Sequence, residues 1–176
     1  MNVIIGCEES QAICLEFRKL GINAYSCDLL PCSGGYPEWH FNFDVFKAVV
    51  GGNLTTQNGE EVYIDKWDLG IFHPPCTHLS VSGARHFEAK RMDGRQQSAV
   101  SFFMRLVRQS AHIPSTAIEQ PISIMSRLYR KPDQIIQPFM FGHGETKATC
   151  LWLKGLPKLR PTNIVEGREA RIHKMP

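Results

Sequence analysis

The feature that most constrains this chain is a recurrent pattern: short apolar runs that each break off at a charged, glycine or proline residue. Asn2 to Cys7 is an apolar run reaching a turn at Gly6, the signature of a buried strand. Ala12, Ile13, Leu15, Phe17 and Leu20 follow at the spacing of an amphipathic helix, with Ser10 as the expected N-cap and Gly21 as the stop. Ala24 to Cys27 reads as a second strand, ended by Asp28 and Pro31. Together these make a βαβ unit. Leu69 to Phe72 is a further strand, running into His73-Pro74-Pro75-Cys76, and Thr116 to Ile118 is another, ending at Glu119-Gln120-Pro121.

Between these elements, 32–66 reads as loop-rich around a short amphipathic piece, Val45 to Val50, and a polar, basic segment follows Cys76. A helix over about Arg95 to Ser110 carries Val100, Phe103, Met104 and Val107 on one side. Ile135 to Phe139 and Cys150 to Leu153 read as late strands. The alternation predicts an α/β fold, Rossmann-like, with a mostly parallel central sheet flanked by helices. In such sheets ligands bind beyond the carboxyl ends of the strands. That is where Gly6-Cys7-Glu8, Asp28, the Pro-Pro-Cys turn and Glu119 all fall.

At 176 residues, with 43% hydrophobic and 21% charged residues, the chain suits one globular domain. The expected domain spans 1–161, with 162–176 as a polar tail. No apolar run reaches the roughly 18 residues of a membrane span, and the first residues lack the pattern of a secretory signal. The six cysteines form no Cys-x-x-Cys pair. A reduced, cytoplasmic setting follows, with no membrane partner. The net charge of +3 permits a polyanionic partner without demanding one.

Each strand end offers a chemistry. Gly6, Cys7, Glu8 and Ser10 form a turn where a small residue admits a cofactor and a helix N-terminus offers free N–H groups, or equally a turn that caps the helix. Its two acids disfavour a pyrophosphate, so a phosphate-free, cationic cofactor fits better. Asp28 stands roughly 20 residues beyond the glycine, where an acid holds ribose hydroxyls; Leu29 is its neighbour. Asp44 suits the amino group of an adenine, or equally the N-cap of the short helix after it. Two prolines fix an extended turn before Cys76, and Arg85, Lys90, Arg91 and Arg95 supply positive charge that favours a thiolate. Glu119 after a buried strand calls for a partner or a task, and a carboxylic acid there can donate a proton.

A metal site is the competing chemistry. His73, Cys76 and His78, with Cys32 or His40, are of zinc-ligating type. The zinc deaminase signature, however, needs His-x-Glu before Pro-Cys-x-x-Cys. Here His40 lacks the Glu and Cys76 is followed by Thr-His. No metal is expected.

Pro74-Pro75-Cys76 with Ser80 resembles the nucleophile motif of DNA cytosine-5 methyltransferases, and Ile118-Glu119-Gln120-Pro121 resembles their strand-end Glu motif. Gly6 to Ser10 is similar to a divergent form of their first cofactor motif, and Asp28 and Asp44 match their two acidic positions. Phe141 to Leu153 sits where that family has a basic motif, and is closer to a small, commonly phage-encoded subgroup. The resemblance runs from about Asn2 to Pro161. It implies an S-adenosylmethionine-dependent enzyme that methylates C5 of cytosine in DNA through a covalent Cys76 adduct. Glu119 and Lys147 complete the catalytic set. Gly6, Cys7, Glu8, Ser10, Asp28, Leu29, Asp44 and Pro74 are the expected cofactor contacts, and Pro75, Ser80, Arg85 and Thr149 the acceptor contacts. The partner is nucleic acid, DNA first, or a cytosine nucleotide. The family's recognition domain and final helix have no counterpart here, so a homodimer or a recognition partner is expected to replace them. The alternatives are an inactive nucleotide- or partner-binding module and an amino-methylating enzyme. The latter fits less well, because His73 and Cys76 flank the two prolines where such enzymes need a hydrogen-bond acceptor and an aromatic ring.

Overall fold

The computed structural model describes residues 1–169. Strand β1 (Asn2–Gly6) pairs in parallel with β2 (Asn23–Asp28), and helix α1 (Ala12–Lys19) crosses between them. Strand β3 (His40–Asn42) extends that edge. After the one-turn helix α2 (Val45–Ala48) comes a separate antiparallel hairpin, β4 (Gly52–Thr55) with β5 (Glu61–Ile64). The chain then re-enters the main sheet as β6 (Leu69–Phe72), on the other side of β1. Helices α3 (Phe87–Met92) and α4 (Arg95–Gln109) lead to β7 (Ser115–Pro121), parallel to β6. Helix α5 (Met125–Leu128), β8 (Gln134–Ile136) and β9 (Thr149–Lys154) complete the described elements.

The seven-stranded order is β3-β2-β1-β6-β7-β9-β8. Strand order reverses between β1 and β6, which opens a crevice beyond their carboxyl ends. β9 runs antiparallel to both neighbours, β7 and β8. The sheet is therefore mixed but mostly parallel, with helices on both faces, as the alternation of elements predicts.

Strand alternation sorts the core. Ile4, Phe72, Ile118 and Trp152 face α4, whose Phe103 and Leu106 are fully buried against them. Val3, Ile5 and Ala24 face α1, which contributes Cys14, Ile13 and Phe17. Trp67, almost fully buried, donates its indole N–H to the Ala48 carbonyl at 2.9 Å and so ties the approach to β6 against α2.

Two expectations are corrected. The stretch 52–64 is a hairpin: Leu54 and Ile64 turn inward while Asn53, Thr55, Glu61 and Tyr63 face out. Gly59 at φ 92° makes its turn. Residues 81–92 form helical turns rather than a loop, because Lys90 folds inward and donates to the Thr77 carbonyl at 2.7 Å. Residues 162–169 remain attached. Val165 N–H donates to the Phe139 carbonyl, and the Arg168 guanidinium stacks on the Phe139 ring. Residues 170–176, including the basic Arg171 and Lys174, lie outside the described residues. Among the described residues, no helix is long and apolar enough to cross a membrane.

Candidate functional site

The crevice begins at the end of β1. Cys7 takes a left-handed conformation, φ 60°, and Glu8 N–H donates back to the Cys27 carbonyl at 3.2 Å, so the turn folds over the end of β2. This conformation strains a non-glycine residue. Glu8 is buried, and its carboxylate accepts from Ile13 N–H (2.6 Å) and Cys14 N–H (3.3 Å). Those are the second and third amides of α1, the donors a helix N-terminus leaves open. Of the two readings of this turn, capping is the one seen for these amides: Glu8 caps α1 from within. Burial pushes the Glu8 carboxyl up, and the two amide donors oppose that shift. The N-cap is Gln11, in a left-handed conformation, not Ser10, which is exposed. Packing supplies a further reason for Gly6. A Cβ on it would sit 2.6 Å from both Phe72 Cδ1 and Val45 Cγ2, so the packing of the core demands the glycine.

A second layer closes over this turn. The Gln11 side chain is fully buried; its Nε2 donates to the Tyr36 carbonyl (2.9 Å) and its Oε1 accepts from Tyr36 N–H (3.1 Å). Gly34 fits beneath, where a Cβ would meet the Ser10 carbonyl oxygen at 2.7 Å. Neither residue is picked out by the motif reading. The signal was present in Ser33-Gly34-Gly35, a loop able to approach another backbone closely.

Asp28 and Asp44 lie at the next two strand ends. Asp28 accepts from Leu30 N–H at 3.0 Å and keeps its second oxygen open, while Leu29 is largely exposed. Asp44 caps α2 by accepting from Phe46 N–H at 2.9 Å. Both carboxylates are near enough to Cys7 to act on its thiol, which burial first and then these two charges push up to about 12. A ligand laid across β1, β2 and β3 thus meets two acceptors and a neutral thiol. This suits hydroxyl and amino donors and repels phosphate.

Across the switch point, the Pro74-Pro75-Cys76 turn is held from β7. Gln120 is fully buried and donates its Nε2 to the Pro74 carbonyl at 2.7 Å. The Cys76 carbonyl accepts from Leu79 and Ser80 N–H, both at 2.9 Å, and closes the loop into a tight turn. Cys76 opens into a cavity of about 500 Å³ whose wall includes Ser80, Pro121, Ile122, Thr146 and Lys147. That volume accommodates a nucleotide-sized ligand. Lys147 is exposed at its mouth, where its backbone N–H is held by Gln137 Oε1. Thr149 lies in β9 and lines no part of this cavity; its hydroxyl donates to the Lys147 carbonyl. Arg85 is also outside it. Its Nε donates to His86 Nε2 on the exposed helical turn. Of the charge expected around Cys76, Lys90 is internal and Arg95 is engaged by Asp93.

Glu119 has the partner its position calls for. Its Oε2 is 3.2 Å from His73 Nδ1, and both side chains are about a quarter exposed. The pair spans β6 and β7 one residue beyond the Phe72–Ile118 register. His40, by contrast, is committed to structure. Its Nε2–H donates to the Leu30 carbonyl (3.0 Å), which leaves Nδ1 to accept from the Ser26 hydroxyl (2.8 Å). Among the described residues, no three His, Cys, Asp or Glu side chains gather as metal ligands. Compared with known proteins, the chain matches no family model and no curated protein.

Proposed function

We propose that this chain is a methyltransferase that moves a methyl group from S-adenosylmethionine to C5 of cytosine in DNA, with Cys76 as the covalent nucleophile. One observation carries the reading: Cys76 faces a nucleotide-sized cavity on a turn clamped by Gln120, while the adjacent residue of β7, Glu119, stands at the neighbouring strand end. A binding module needs no thiol on a turn held in this way. The antiparallel β9 between β7 and β8 separates this sheet from the all-parallel dinucleotide arrangement and agrees with a Rossmann-like methyltransferase sheet.

The residues present fit the cofactor. Asp28 suits ribose hydroxyls and Asp44 an adenine amino group. The acidic, phosphate-repelling turn with its closed helix end suits a cationic, phosphate-free molecule. Buried His73 Nε2, which has no hydrogen-bond partner in the protein, marks a polar point on the crevice side of β6 that a ligand can satisfy. When bound, S-adenosylmethionine supplies an electrophilic methyl group.

The protein must make C5 of cytosine nucleophilic. Cys76 Sγ, as thiolate, adds to C6 and pushes electron density onto the ring. Glu119, in its acid form, hydrogen-bonds and protonates N3, which leaves C5 as an enamine carbon. Lys147, at the cavity mouth, neutralises charge developing on O2 or on a neighbouring phosphate. Once C5 has taken the methyl group, with the donor's sulfur leaving as a neutral thioether, loss of the C5 proton to solvent and return of the N3 proton to Glu119 regenerate the C5–C6 double bond and expel Cys76 Sγ as thiolate. A duplex must first release the base from its stack, costing a few kcal/mol, whereas a single strand avoids most of this.

The test compares wild type with Cys76→Ser for transfer of labelled methyl to duplex DNA, single-stranded DNA, RNA and dCMP. Label recovered as 5-methylcytosine, with DNA among the acceptors and with the wild type alone, is expected. Equal transfer by the variant, or no transfer by the wild type to any of the four, overturns the reading.

A further inference from the structure

We infer that His73 is a positioning residue for Glu119: it occupies one carboxyl oxygen so that the other faces the acceptor base. The inference rests on the proposed reaction. His73 is held at its backbone, where its N–H donates to the Gly6 carbonyl at 3.0 Å and extends the β1–β6 ladder by one residue. The backbone that carries the ring is therefore fixed relative to the sheet. At 3.2 Å from Oε2, Nδ1 has a carboxyl oxygen as its partner. Nε2 is shielded from solvent and has no partner in the protein.

These two facts select a tautomer. A buried, orphaned N–H is rarer than an under-used acceptor, so the ring proton belongs on Nδ1 and the lone pair on Nε2. The bond is then Nδ1–H donating to Oε2. A glutamate carries three rotatable side-chain bonds, and an unheld carboxyl samples orientations in which neither oxygen addresses N3. With Oε2 engaged, Oε1 is left to carry the proton for N3. The groups facing the ring are Glu119 from β7 and Glu8 from the turn after β1. His73 therefore stands between the turn proposed to hold the cofactor and the acid proposed to act on the base.

Three variants isolate the donor. His73→Asn puts an amide N–H where Nδ1 stood, His73→Gln puts one where Nε2 stood, and His73→Leu removes both. His73→Asn is expected to keep kcat within about 3-fold of wild type. His73→Gln and His73→Leu are expected to lose about 10²-fold, the lower end of a general acid's contribution, with KM for the acceptor unchanged. Wild-type turnover in His73→Gln and His73→Leu, or equal loss in His73→Asn, overturns the inference. If His73→Leu does not fold, the Asn and Gln pair decides alone.

A second readout needs no turnover: the ¹⁵N spectrum of the imidazole in the ligand-free protein. The Nδ1–H tautomer is expected in wild type and its loss in Glu119→Leu; an Nε2–H tautomer in wild type overturns the inference. Wild-type protein that transfers no methyl yet shows the Nδ1–H tautomer removes the reaction, and with it the role of His73, but not the hydrogen bond. Methyl transfer with the wrong tautomer removes the positioning role and spares the reaction.

Discussion

Replacing Gly6 by Ala separates two explanations of the glycine at the end of β1, core packing and cofactor access. An added Cβ meets Phe72 Cδ1 and Val45 Cγ2, each at 2.6 Å, whereas carbon atoms in good contact stand roughly 3.5–4.0 Å apart. Each neighbour must retreat by about 1 Å. Phe72 is fully buried and Val45 nearly so, and Phe72 shares its cluster with Ile4 and Phe103. Little room exists for either to move. Overpacking of this kind costs about 1–3 kcal/mol. For a domain of this size 2 kcal/mol lowers the melting temperature by about 4–8 °C. Urea unfolding followed by tryptophan fluorescence, read together with calorimetry, checks the figure. The affinity for S-adenosylmethionine, the proposed cofactor, measured well below the melting temperature, is expected to move less than 3-fold. A variant as stable as wild type that has lost cofactor affinity refutes the packing argument and restores the access argument.

The thiols give a second expectation. With its thiol pushed up to about 12, Cys7 is about one part in 10⁴ thiolate at pH 8, and Cys14, at about 11, is fully buried. Iodoacetamide labelling of native protein, mapped by mass spectrometry, should spare both and modify Cys76, which opens to a cavity; rapid labelling of Cys7 refutes the closed turn. Acid gives a third. Burial lowers the His40 imidazole below its usual range, so the unfolded chain takes up that proton first. The stability linked to His40 is complete above the ordinary imidazole pKa, declines as pH falls below it, and is fully lost once pH passes the lowered folded value. Urea midpoints at pH 7.5 and 5.5 should show this decline, and a His40→Gln variant should show a smaller one. Equal slopes for the two proteins refute the assignment.

Most of the sheet was legible because its strands are short apolar runs bounded by strong breakers. The opening βαβ unit, β6 into Pro74, and β7 into Glu119 all follow from that pattern. The hairpin of 52–64 was less visible, because half its residues face solvent and its alternation, as in Glu61-Val62-Tyr63-Ile64, covers only a few positions. The inward turn of Lys90 was invisible to composition. A basic segment reads as a solvated loop unless one lysine finds a carbonyl, and only the tertiary structure brings Thr77 within reach. At the candidate site, the sequence marked Cys76 and Glu119 but not the His73 that joins Glu119. Its one signal was an imidazole directly before two prolines at a strand end, which serves a metal equally well. Glu8 and Asp44 show the reverse case. Each was placed as a ligand contact and each also caps a helix, since a carboxylate after a strand satisfies whichever amides lie nearest.

β7 carries Glu119 and Gln120 side by side, one on each face of the sheet, and Gln120 holds the turn on which Cys76 sits. Alternation along a strand has a period of two, so sliding β7 by one residue would swap the acid and the clamp between faces. Both functions would then fail at once. β7 therefore tolerates no insertion or deletion between Thr116 and Gln120. Variation among relatives of this chain should therefore spare the length of β7.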